Sequence, residues 1–542
     1  MNPNDPPPDD SALPGVISDL ARRARTSDVE GRRQAVEELY EIAYKVGAKG
    51  AAAIPVLIEC LGDRDEKTGD GALWGLAYCE PHSIEPLIDC LDHVEPLVRH
   101  RAASALGNIG DEAIPASPSL RRLLRDVDQS VRGRAAWALG LIHDTDRRTV
   151  EALFAMVEHG VTLDRSAALH ALGNIGKSLV DASSLREHHA LVMSALDDVD
   201  SEVRWSALYV VESSGFQAQA HAQILLTILK QESSDRVIEA ALSQLKTLAP
   251  RIDLSAHVET LCRCLSHAGR PATLACEVLA EIRPAPRHAI QSLLGALNVD
   301  ALVLPAASAL WKIDRRVKES LPAIARIFHE YDESVCDVIC ELGPAAAPLL
   351  PHVIEALGTE NWDLQWAAAD ALGAIASAEP AVLLALQQAL GHPSPIVRSA
   401  TARALARVGE PSIPLLVNLL QDPEDTRSAW AAYALGEMGP VATAAAPQLR
   451  AGMRSPHQVL TRACAIALAQ VTGDAEAIPH LLRILESEDP DCPRRAAAQA
   501  LGKIGPAAVG AVEMLTLALD DEDPDVCAAA QEALFAIRAR SH

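Results

Sequence analysis

The sequence predicts an all-α fold, an α-α superhelix (solenoid) of about sixteen helix pairs. An Ala-Leu-Gly triplet recurs along the chain, and its leucine or a substitute returns about every 33 residues. The sixteen marker positions are Leu39, Leu76, Leu106, Leu139, Leu172, Val211, Leu245, Leu279, Leu310, Leu342, Leu372, Leu405, Leu435, Leu468, Leu501 and Leu534. A unit this short cannot bury its own apolar face, so neighbouring units must stack, and the concave surface of such a stack is its usual binding surface.

Each unit carries the pattern of two antiparallel helices, which we call helix A and helix B. Helix A has a proline near its start and continues with a wide apolar stripe. Examples of helix A are residues 54–61, 413–420 and 478–485. An acidic turn follows, in which side chains such as Asp126 and Asp128 can cap helix B. Helix B is clearest at residues 98–109, where the apolar residues share one face. The glycines expected to end helix B with a left-handed backbone are Gly110, Gly176, Gly439 and Gly505.

One elongated domain, residues 12–542, is predicted, because the repeat runs from about Arg32 to Arg540 without a linker. Residues 1–11 lack apolar periodicity and are predicted to form a disordered, acidic, proline-rich tail. The repeats are less regular at about 216–344, where most of the Ala-Leu-Gly triplet is lost. Ordinary drift and a softer segment between two stiffer arms are both open interpretations. The apolar periodicity that persists there favours drift.

The starting proline of helix A, the aspartate of the turn, and the Val-Arg and Ala-Leu-Gly of helix B together resemble HEAT repeats. The closest type is the bacterial HEAT-like repeat that is also found in phycobilin lyase subunits. The resemblance implies a ladder of ion pairs between turn aspartates and helix B arginines of neighbouring repeats, which braces the repeats and does not contact ligands. The matching arginines are Arg32, Arg99, Arg132, Arg165, Arg204, Arg398 and Arg494. The equivalent positions of the less regular repeats are Ile238, Ala272, Val303, Val335 and Gln365.

Charge and composition narrow the classes of partner. The chain has 48 Lys+Arg and 73 Asp+Glu, a net charge of −25 that repels phosphate backbones and anionic membranes. We therefore expect no nucleic acid partner and no membrane insertion. The eleven cysteines are odd in number and scattered, which favours buried, reduced thiols. No basic and then apolar segment opens the chain, so we expect a cytoplasmic protein.

The candidate binding residues lie two positions before and two after the marker leucine, opposite the core on helix B. Trp205 lies near the same face, and exposed tryptophan and tyrosine are enriched at binding hot spots. The predicted partner-binding residues are Trp74, Tyr78, Trp137, Leu141, His170, Trp205 and Tyr209. A second, weaker group is Trp366, Asp370 and Tyr433. The alternative is that each ring lies over its neighbour's helix and only widens the core.

The sequence gives no sign of catalytic, cofactor or metal chemistry. A di-iron site of the type found in deoxyhypusine hydroxylase, a HEAT-repeat enzyme, needs several His-Glu pairs, and only His329-Glu330 is present. The pairs Cys336/Cys340 and Cys262/Cys264 lack a second ligand pair at zinc spacing. We therefore predict no catalytic residue, no cofactor and no metal.

The sequence favours a non-enzymatic scaffold or adaptor that binds a protein or peptide along the concave face of the solenoid. The alternative is a chromophore attachment factor that resembles the phycobilin lyases, which rests on the family resemblance alone. A third class, nucleic-acid binding, is opposed by the acidic charge.

Overall fold

A computed structural model of the chain describes residues 13–26, 28–179, 182–284, 286–328, 333–421, 427–487 and 492–539. Over these ranges the secondary structure consists of helices and turns without a β-strand, so the predicted all-α class is confirmed. The predicted tail at 1–11 and the His329-Glu330 pair lie outside the described residues. The chain divides into two compact units, residues 1–278 and 279–542, which are described separately below. A single domain over residues 12–542 stays a prediction.

The helices that begin in the first unit are α1 (Leu13–Thr26), α2 (Val29–Val46), α3 (Ile54–Cys60), α4 (Glu66–Tyr78), α5 (Ile84–Cys90), α6 (Pro96–Ile109), α7 (Ser117–Leu123), α8 (Gln129–Leu141), α9 (Arg147–His159), α10 (Thr162–Ser178), α11 (Ser183–Glu187), α12 (His189–Leu196), α13 (Ser201–Ser213), α14 (Ala218–Leu229), α15 (Asp235–Leu248), α16 (Val258–Cys264) and α17 (Arg270–Ala280). Short 3-10 segments of this unit are Gly47–Ala53, Gly110–Ala116, Ala249–Arg251 and Ser255–His257.

The helices of the second unit are α18 (Arg287–Ala296), α19 (Val303–Asp314), α20 (Leu321–Ile327), α21 (Ser334–Leu342), α22 (Leu350–Leu357), α23 (Trp362–Ile375), α24 (Pro380–Ala389), α25 (Pro395–Val408), α26 (Ile413–Leu419), α27 (Arg427–Met438), α28 (Ala446–Gly452), α29 (Gln458–Thr472), α30 (Ile478–Leu485), α31 (Arg494–Ile504), α32 (Val512–Leu517) and α33 (Pro524–Ala539). Its 3-10 segments are Asp300–Leu302, Gly343–Leu349, Glu410–Ser412, Gly439–Ala445, Ala475–Ala477, Gly505–Ala511 and Ala518–Asp520.

Apart from the short α11, the helices of the described residues form sixteen A/B pairs, the number that the marker positions predicted. In the first unit each helix B packs on the helix B of the next repeat, in the order α2, α4, α6, α8, α10, α13 and α15. In the second unit the same packing runs from α19 through α21, α23, α25, α27, α29 and α31 to α33. All sixteen marker residues are buried, because each faces the layer of A helices. The helix pairs continue through residues 216–344.

Local signals at the helix ends act largely as predicted. Pro55 lies in the first turn of α3, and the Asp128 carboxylate accepts hydrogen bonds from the backbone N–H groups of Ser130 and Val131 at 2.9 and 3.3 Å. Asp128 therefore caps α8.

Three of the four predicted helix-ending glycines have a positive φ, namely Gly110 at 80°, Gly439 at 58° and Gly505 at 72°. The prediction was wrong for Gly176, which lies inside α10, a helix that continues to Ser178. Pro440 and Pro506 follow two of the other glycines and cannot extend a helix, whereas Lys177 follows Gly176 and can.

The arginine ladder, defined by the seven arginines named above, is present at six of them, whereas Arg398 donates to the carbonyls of His392 and Pro393 and pairs with no acid among the described residues. Arg99 is the most buried ladder arginine that pairs with an aspartate. The side chain of Arg99 is 10% exposed, and that of its partner Asp126 is 7% exposed. Its guanidinium donates to both carboxylate oxygens at 2.7 and 2.8 Å, and to the carbonyls of His93 and Val94 at 2.8 and 3.0 Å. The remaining acidic pairs of the ladder are Arg32–Asp63, Arg132–Asp164, Arg165–Asp198, Arg204–Glu232 and Arg494–Asp521. Each pair joins one helix B to an acidic residue of the following repeat, so these arginines are structural braces.

Candidate functional site

The face of helix B that points away from the A helices, which we call the helix-B face, is shaped by the glycine of the Ala-Leu-Gly triplet. A Cβ atom placed on Gly140 would lie 2.8 Å from the Cα of Ala171, so α8 and α10 approach closely only because the side chain is absent. A Cβ on Gly107 would lie 2.7 Å from the Trp137 ring, and one on Gly173 would overlap the Tyr209 ring. Each of these two rings therefore lies over the glycine of the preceding repeat.

This packing bears on the two interpretations of the aromatic residues. Trp137 and Tyr209 rest partly on the preceding helix, as the core-widening alternative requires, yet both rings stay half-buried and neither is sealed from solvent. The preceding repeat holds one side of each ring in place. The other side contributes to an open surface.

An open groove of about 520 Å³ runs along the helix-B face of four successive repeats in the first unit, from α6 to α13. We call it the helix-B groove. It is lined by His100, Gln129, Ser130, Gly133, Arg134, Trp137, Leu163, Ser166, Ala167, His170, Glu202, Trp205 and Ser206. Three of the seven predicted residues, Trp137, His170 and Trp205, thus line one groove, and each comes from a different helix.

His170 is the centre of an aromatic stack. Its ring centroid is 5.7 Å from Trp205 and 5.2 Å from Tyr209, with interplanar angles of 20° and 13°. The Tyr209 hydroxyl donates to Asn174 Oδ1 at 3.0 Å and accepts from Lys177 Nζ at 2.8 Å. The stack and these hydrogen bonds hold the rings of α10 and α13 in fixed orientations.

An arginine lies over each of the two tryptophans of the groove. The guanidinium carbon of Arg134 lies 4.8 Å from the Trp137 centroid, and that of Arg236 lies 3.9 Å from the Trp205 centroid. Arg236 also forms an ion pair with Glu202. Arg134 forms no hydrogen bond or ion pair with any of the residues that the structure describes. One positive charge on the helix-B groove therefore has no direct ion-pair partner among the described residues.

The two histidines of the groove are held in the neutral form. Burial lowers the pKa of His100, and the positive charge of Arg134 lowers it further. Burial likewise lowers the pKa of His170, and Lys177 and Arg236 add to the effect. The lowered pKa of His170 keeps its ring uncharged near neutral pH, so it contributes a stacking surface to the groove and no charge.

The remaining predicted residues lie outside the groove lining. Tyr209 adjoins the groove through His170, whereas Leu141 is half-buried at the end of α8. Trp74 is 45% exposed on α4. Tyr78 belongs to a separate cluster with Tyr40 and Tyr44, with centroid distances of 6.0 and 5.1 Å.

The three residues of the weaker group lie in separate environments in the second unit. Asp370 forms ion pairs with Arg403 at 3.3 Å and Arg407 at 3.8 Å. Tyr433 lines a second open groove of about 530 Å³ on the helix-B face, whereas Trp366 lies outside that lining and is 37% exposed. We call this the second groove. It is lined by Arg398, Ser399, Ala429, Trp430, Tyr433, Val459, Arg462, Ala463, Ile466, Ala467, Gln470, Pro493 and Ala496.

Sequence reasoning missed several residues of the helix-B face. Arg134 lies one turn before Trp137, and Trp430 lies one turn before Tyr433, so a search at three-residue spacing around each predicted aromatic would have found them. Arg236 is more difficult to predict from the sequence, because it lies on α15 and contacts Trp205 on the helix B of the preceding repeat.

Most of the cysteines are buried in the core. No disulfide joins any of the eleven cysteines; eight are buried, and Cys262, Cys340 and Cys527 are half-buried. Burial raises the pKa of the Cys276 thiol to about 12, which removes its nucleophilic form at neutral pH. Among the described residues, no group of three or more His, Cys, Asp or Glu side chains is arranged to hold a metal ion.

Two helical stretches within the described ranges, Ser334–Leu357 and Arg494–Asp520, are long and apolar enough to cross a membrane. Each contains two α-helices separated by a 3-10 segment, which starts at Gly343 in the first stretch and at Gly505 in the second. Both glycines have a positive φ, so neither stretch is one continuous α-helix.

Solved structures show the same fold at low sequence identity. Importin beta, crystallised in ammonium sulfate, aligns over 97% of this chain and 85% of its own, with a TM-score of 0.59 and 13% identity. A structure of Kap95p that describes its binding to RanGDP aligns over 97% of this chain and 83% of its own, with a TM-score of 0.58 and 14% identity. Kap95 in complex with Nup1 aligns over 97% of this chain and 77% of its own, with a TM-score of 0.52 and 14% identity. No curated protein matches the sequence.

The family comparison agrees with the helix pairs. The model for HEAT repeats matches residues 54–140, 117–212, 350–436, 383–469 and 446–534, which together cover more than half of the chain. The matches leave out the less regular segment around 216–344. The chain belongs to the family of HEAT-repeat proteins.

Proposed function

We propose that this protein is a non-enzymatic scaffold that binds a protein or peptide partner in the helix-B groove. The observation that carries the proposal is the convergence of Trp137, His170 and Trp205, from three successive repeats, on one open groove. Leu163, which is 65% exposed, adds an apolar side chain to the same lining. An unfilled surface of this composition matches the aromatic centre of a protein interface.

The groove is also suited to binding by its rigidity. Trp137 is supported by the backbone at Gly107, and Trp205 is held between His170 and Arg236. Side chains that are already ordered lose little conformational entropy when a partner arrives, so more of the contact energy appears as affinity. The aromatic residues therefore supply contact area without a large ordering cost.

The family supports a binding role in general terms. Structures of the same fold include Kap95p with RanGDP and Kap95 with Nup1, both complexes with protein partners. No observation favours the phycobilin-lyase-like alternative, and the net charge of −25 opposes a nucleic acid partner. A cytoplasmic location, which suits eleven cysteines without a disulfide, is part of the proposal.

Site-specific photocrosslinking in the source cells tests the proposal. A benzoylphenylalanine at Ser166, in the lining of the groove, is expected to crosslink a discrete partner. The matched control is the same amino acid at Glu158, an exposed position on the neighbouring helix A, α9. The crosslink at Ser166 should disappear when Trp205→Ala is introduced into the same chain.

The control position also defines the result that would contradict the proposal. Equal crosslinking from Ser166 and Glu158, or crosslinking at Ser166 that survives Trp205→Ala, contradicts the assignment of the partner to the helix-B groove. A melting curve of each variant shows whether the chain stays folded.

A further inference from the structure

Arg134 is the feature of the helix-B groove that the packing of the protein does not explain. Its neighbour Arg132 belongs to the ladder, and Arg236, the other arginine at the groove, pairs with Glu202. Burial lowers the pKa of the Arg134 guanidinium, and the charge of Asp70 is the effect that opposes this. No ion pair joins Arg134 to Asp70 in the described chain, and Asp70 instead lies 3.7 Å from Arg101 Nε.

A half-buried guanidinium without a hydrogen-bonded acid has a cost, since part of its hydration is removed and no ion pair replaces it. The ring of Trp137 compensates in part through a cation–π contact. A carboxylate from outside the chain would compensate further, because charge-assisted hydrogen bonds to arginine are among the strongest in proteins. Arg134 is thus complementary to an acidic group.

The surroundings of Arg134 specify more of the partner. Leu163 and Trp137 offer apolar contact on one side, and Trp205 and His170 continue the lining along the next repeats. Packed helices lie about 8–10 Å apart, and alternate side chains of an extended peptide are about 7 Å apart. A chain that crosses the groove can therefore place alternate side chains, which share one face, on successive repeats.

We propose that the helix-B groove binds an extended peptide through one aspartate or glutamate at Arg134, with apolar side chains of the peptide against Trp137, Leu163 and Trp205. This inference rests on the proposed function and adds the chemistry of the partner. A single arginine without a direct ion-pair partner in the described chain matches a carboxylate of one charge. Phosphopeptide sites use clusters of arginines, because a phosphate carries nearly two charges.

Nucleic acid is the competing occupant, since bases stack on aromatic rings and phosphates pair with arginine. Two observations favour the peptide. The whole chain carries a net charge of −25, and the groove itself contains Glu202, so a polyanion gains little from the one available cation. A peptide with one acid and several apolar side chains matches both the charge and the apolar lining.

The test is a selection of displayed 12-residue random peptides on the immobilised full-length chain, followed by fluorescence anisotropy with the best peptide after labelling. We expect the selected peptides to share an aspartate or glutamate flanked by aliphatic or aromatic residues. Arg134→Gln should weaken their binding by about tenfold to a hundredfold, the range for a hydrogen bond to a charged group. The matched control, Arg148→Gln, removes an exposed arginine on α9 and should change affinity less than about twofold.

A change in the peptide, combined with Arg134→Gln, completes a double-mutant cycle. Replacing its acid by the corresponding amide should weaken binding as much as Arg134→Gln does, and the two changes together should cost no more than either alone. This non-additivity is the signature of a coupled pair, and a melting curve of Arg134→Gln, recorded beside that of Arg148→Gln, shows that the variant stays folded.

The alternative outcomes are distinguishable. If binding needs Trp205 but neither Arg134 nor the peptide's acid, the acidic chemistry is wrong while the proposed function stands. If binding is indifferent to Trp205, Trp137 and Arg134 alike, both proposals fall. If a labelled oligothymidylate binds in an Arg134-dependent, salt-sensitive way and the peptides do not, the groove binds nucleic acid and the inference is overturned.

Discussion

Two arginines of helix α8 have identical side chains and opposite surroundings. Arg132 donates to Asp164 at 2.9 and 3.1 Å and to the carbonyl of Asp126 at 2.9 Å, so it is satisfied within the chain. Arg134, two residues later, lies over Trp137 and has no hydrogen bond or ion pair in the described part of the chain. The position on the helix, and not the residue type, separates a structural brace from a group available to a partner.

A similar contrast separates the regular repeats from the less regular ones. The ladder pair Arg99–Asp126 has side chains 10% and 7% exposed. In the segment around 216–344, an ion pair between helices such as Arg270–Glu239 has side chains 68% and 41% exposed. Exposed pairs contribute little to stability, because water competes for both charges. Apolar burial therefore holds these repeats together with less help from the turns.

The largest effect is expected from breaking the ladder. Arg99→Ala leaves the Asp126 carboxylate buried without its guanidinium, which should lower stability by about 3 kcal/mol. Hydrogen exchange should show the loss in α6, α7 and α8 first, because a repeat contacts only its neighbours. The matched control, Arg270→Ala in the less regular segment, should cost less than about 0.5 kcal/mol. Equal losses from the two variants would remove the distinction between the segments.

A second comparison uses two glycines of α8. Gly140→Ala would place a methyl group 2.8 Å from the Ala171 Cα atom and force α8 and α10 apart, which should cost about 1–3 kcal/mol. Gly133→Ala meets no atom closer than 3.9 Å, and alanine favours helix by up to about 1 kcal/mol. Thermal unfolding of both variants should move in opposite directions. A shared direction would show that close approach of helix B does not depend on this glycine.

These comparisons also show what the sequence could predict. Apolar spacing predicted the sixteen helix pairs and their buried markers, because the core depends only on the periodicity of residues such as Leu106 and Leu139. The Val-Arg signal predicted the ladder because six of its seven arginines reach an acid in the following repeat. The helix-B groove was predictable only in part, since it depends on side-chain packing between repeats. Nothing in the spacing of Trp137 and His170 distinguishes them from Trp74, which lies outside the lining.

That difference between tryptophans gives the next prediction. Trp205→Ala removes an aromatic wall of the helix-B groove and should weaken the binding of the photocrosslinked partner by about 2 kcal/mol. Trp74→Ala, an exposed tryptophan on α4, should change it by less than about 0.5 kcal/mol. Affinity of the purified proteins, measured beside their melting temperatures, separates binding from folding. A larger loss from Trp74→Ala would move the binding surface toward the start of the first unit.

The smallest expected effect is the acid sensitivity of the ladder. Burial acts to raise the pKa of Asp126, but hydrogen bonds from Arg99 and from the backbone N–H of Asp128 outweigh it and leave the pKa below its usual value. A lowered folded-state pKa stabilises the protein above the unfolded value near 4, and this contribution is lost as the pH falls through the folded-state pKa. Circular dichroism melts should therefore show wild type losing more stability than Arg99→Ala between about pH 5 and pH 2. Parallel losses would exclude the pair as the source.

Hydrogen exchange of the full-length chain, with and without the partner crosslinked at Ser166, shows whether the partner occupies the helix-B groove. We expect the bound partner to slow exchange in α8, α10 and α13, whose helix-B faces line the groove, and to leave the outer helices α9 and α12 unchanged. Protection confined to α9 and α12, or to the ladder turns, would place the partner elsewhere and contradict the assignment of binding to the helix-B groove.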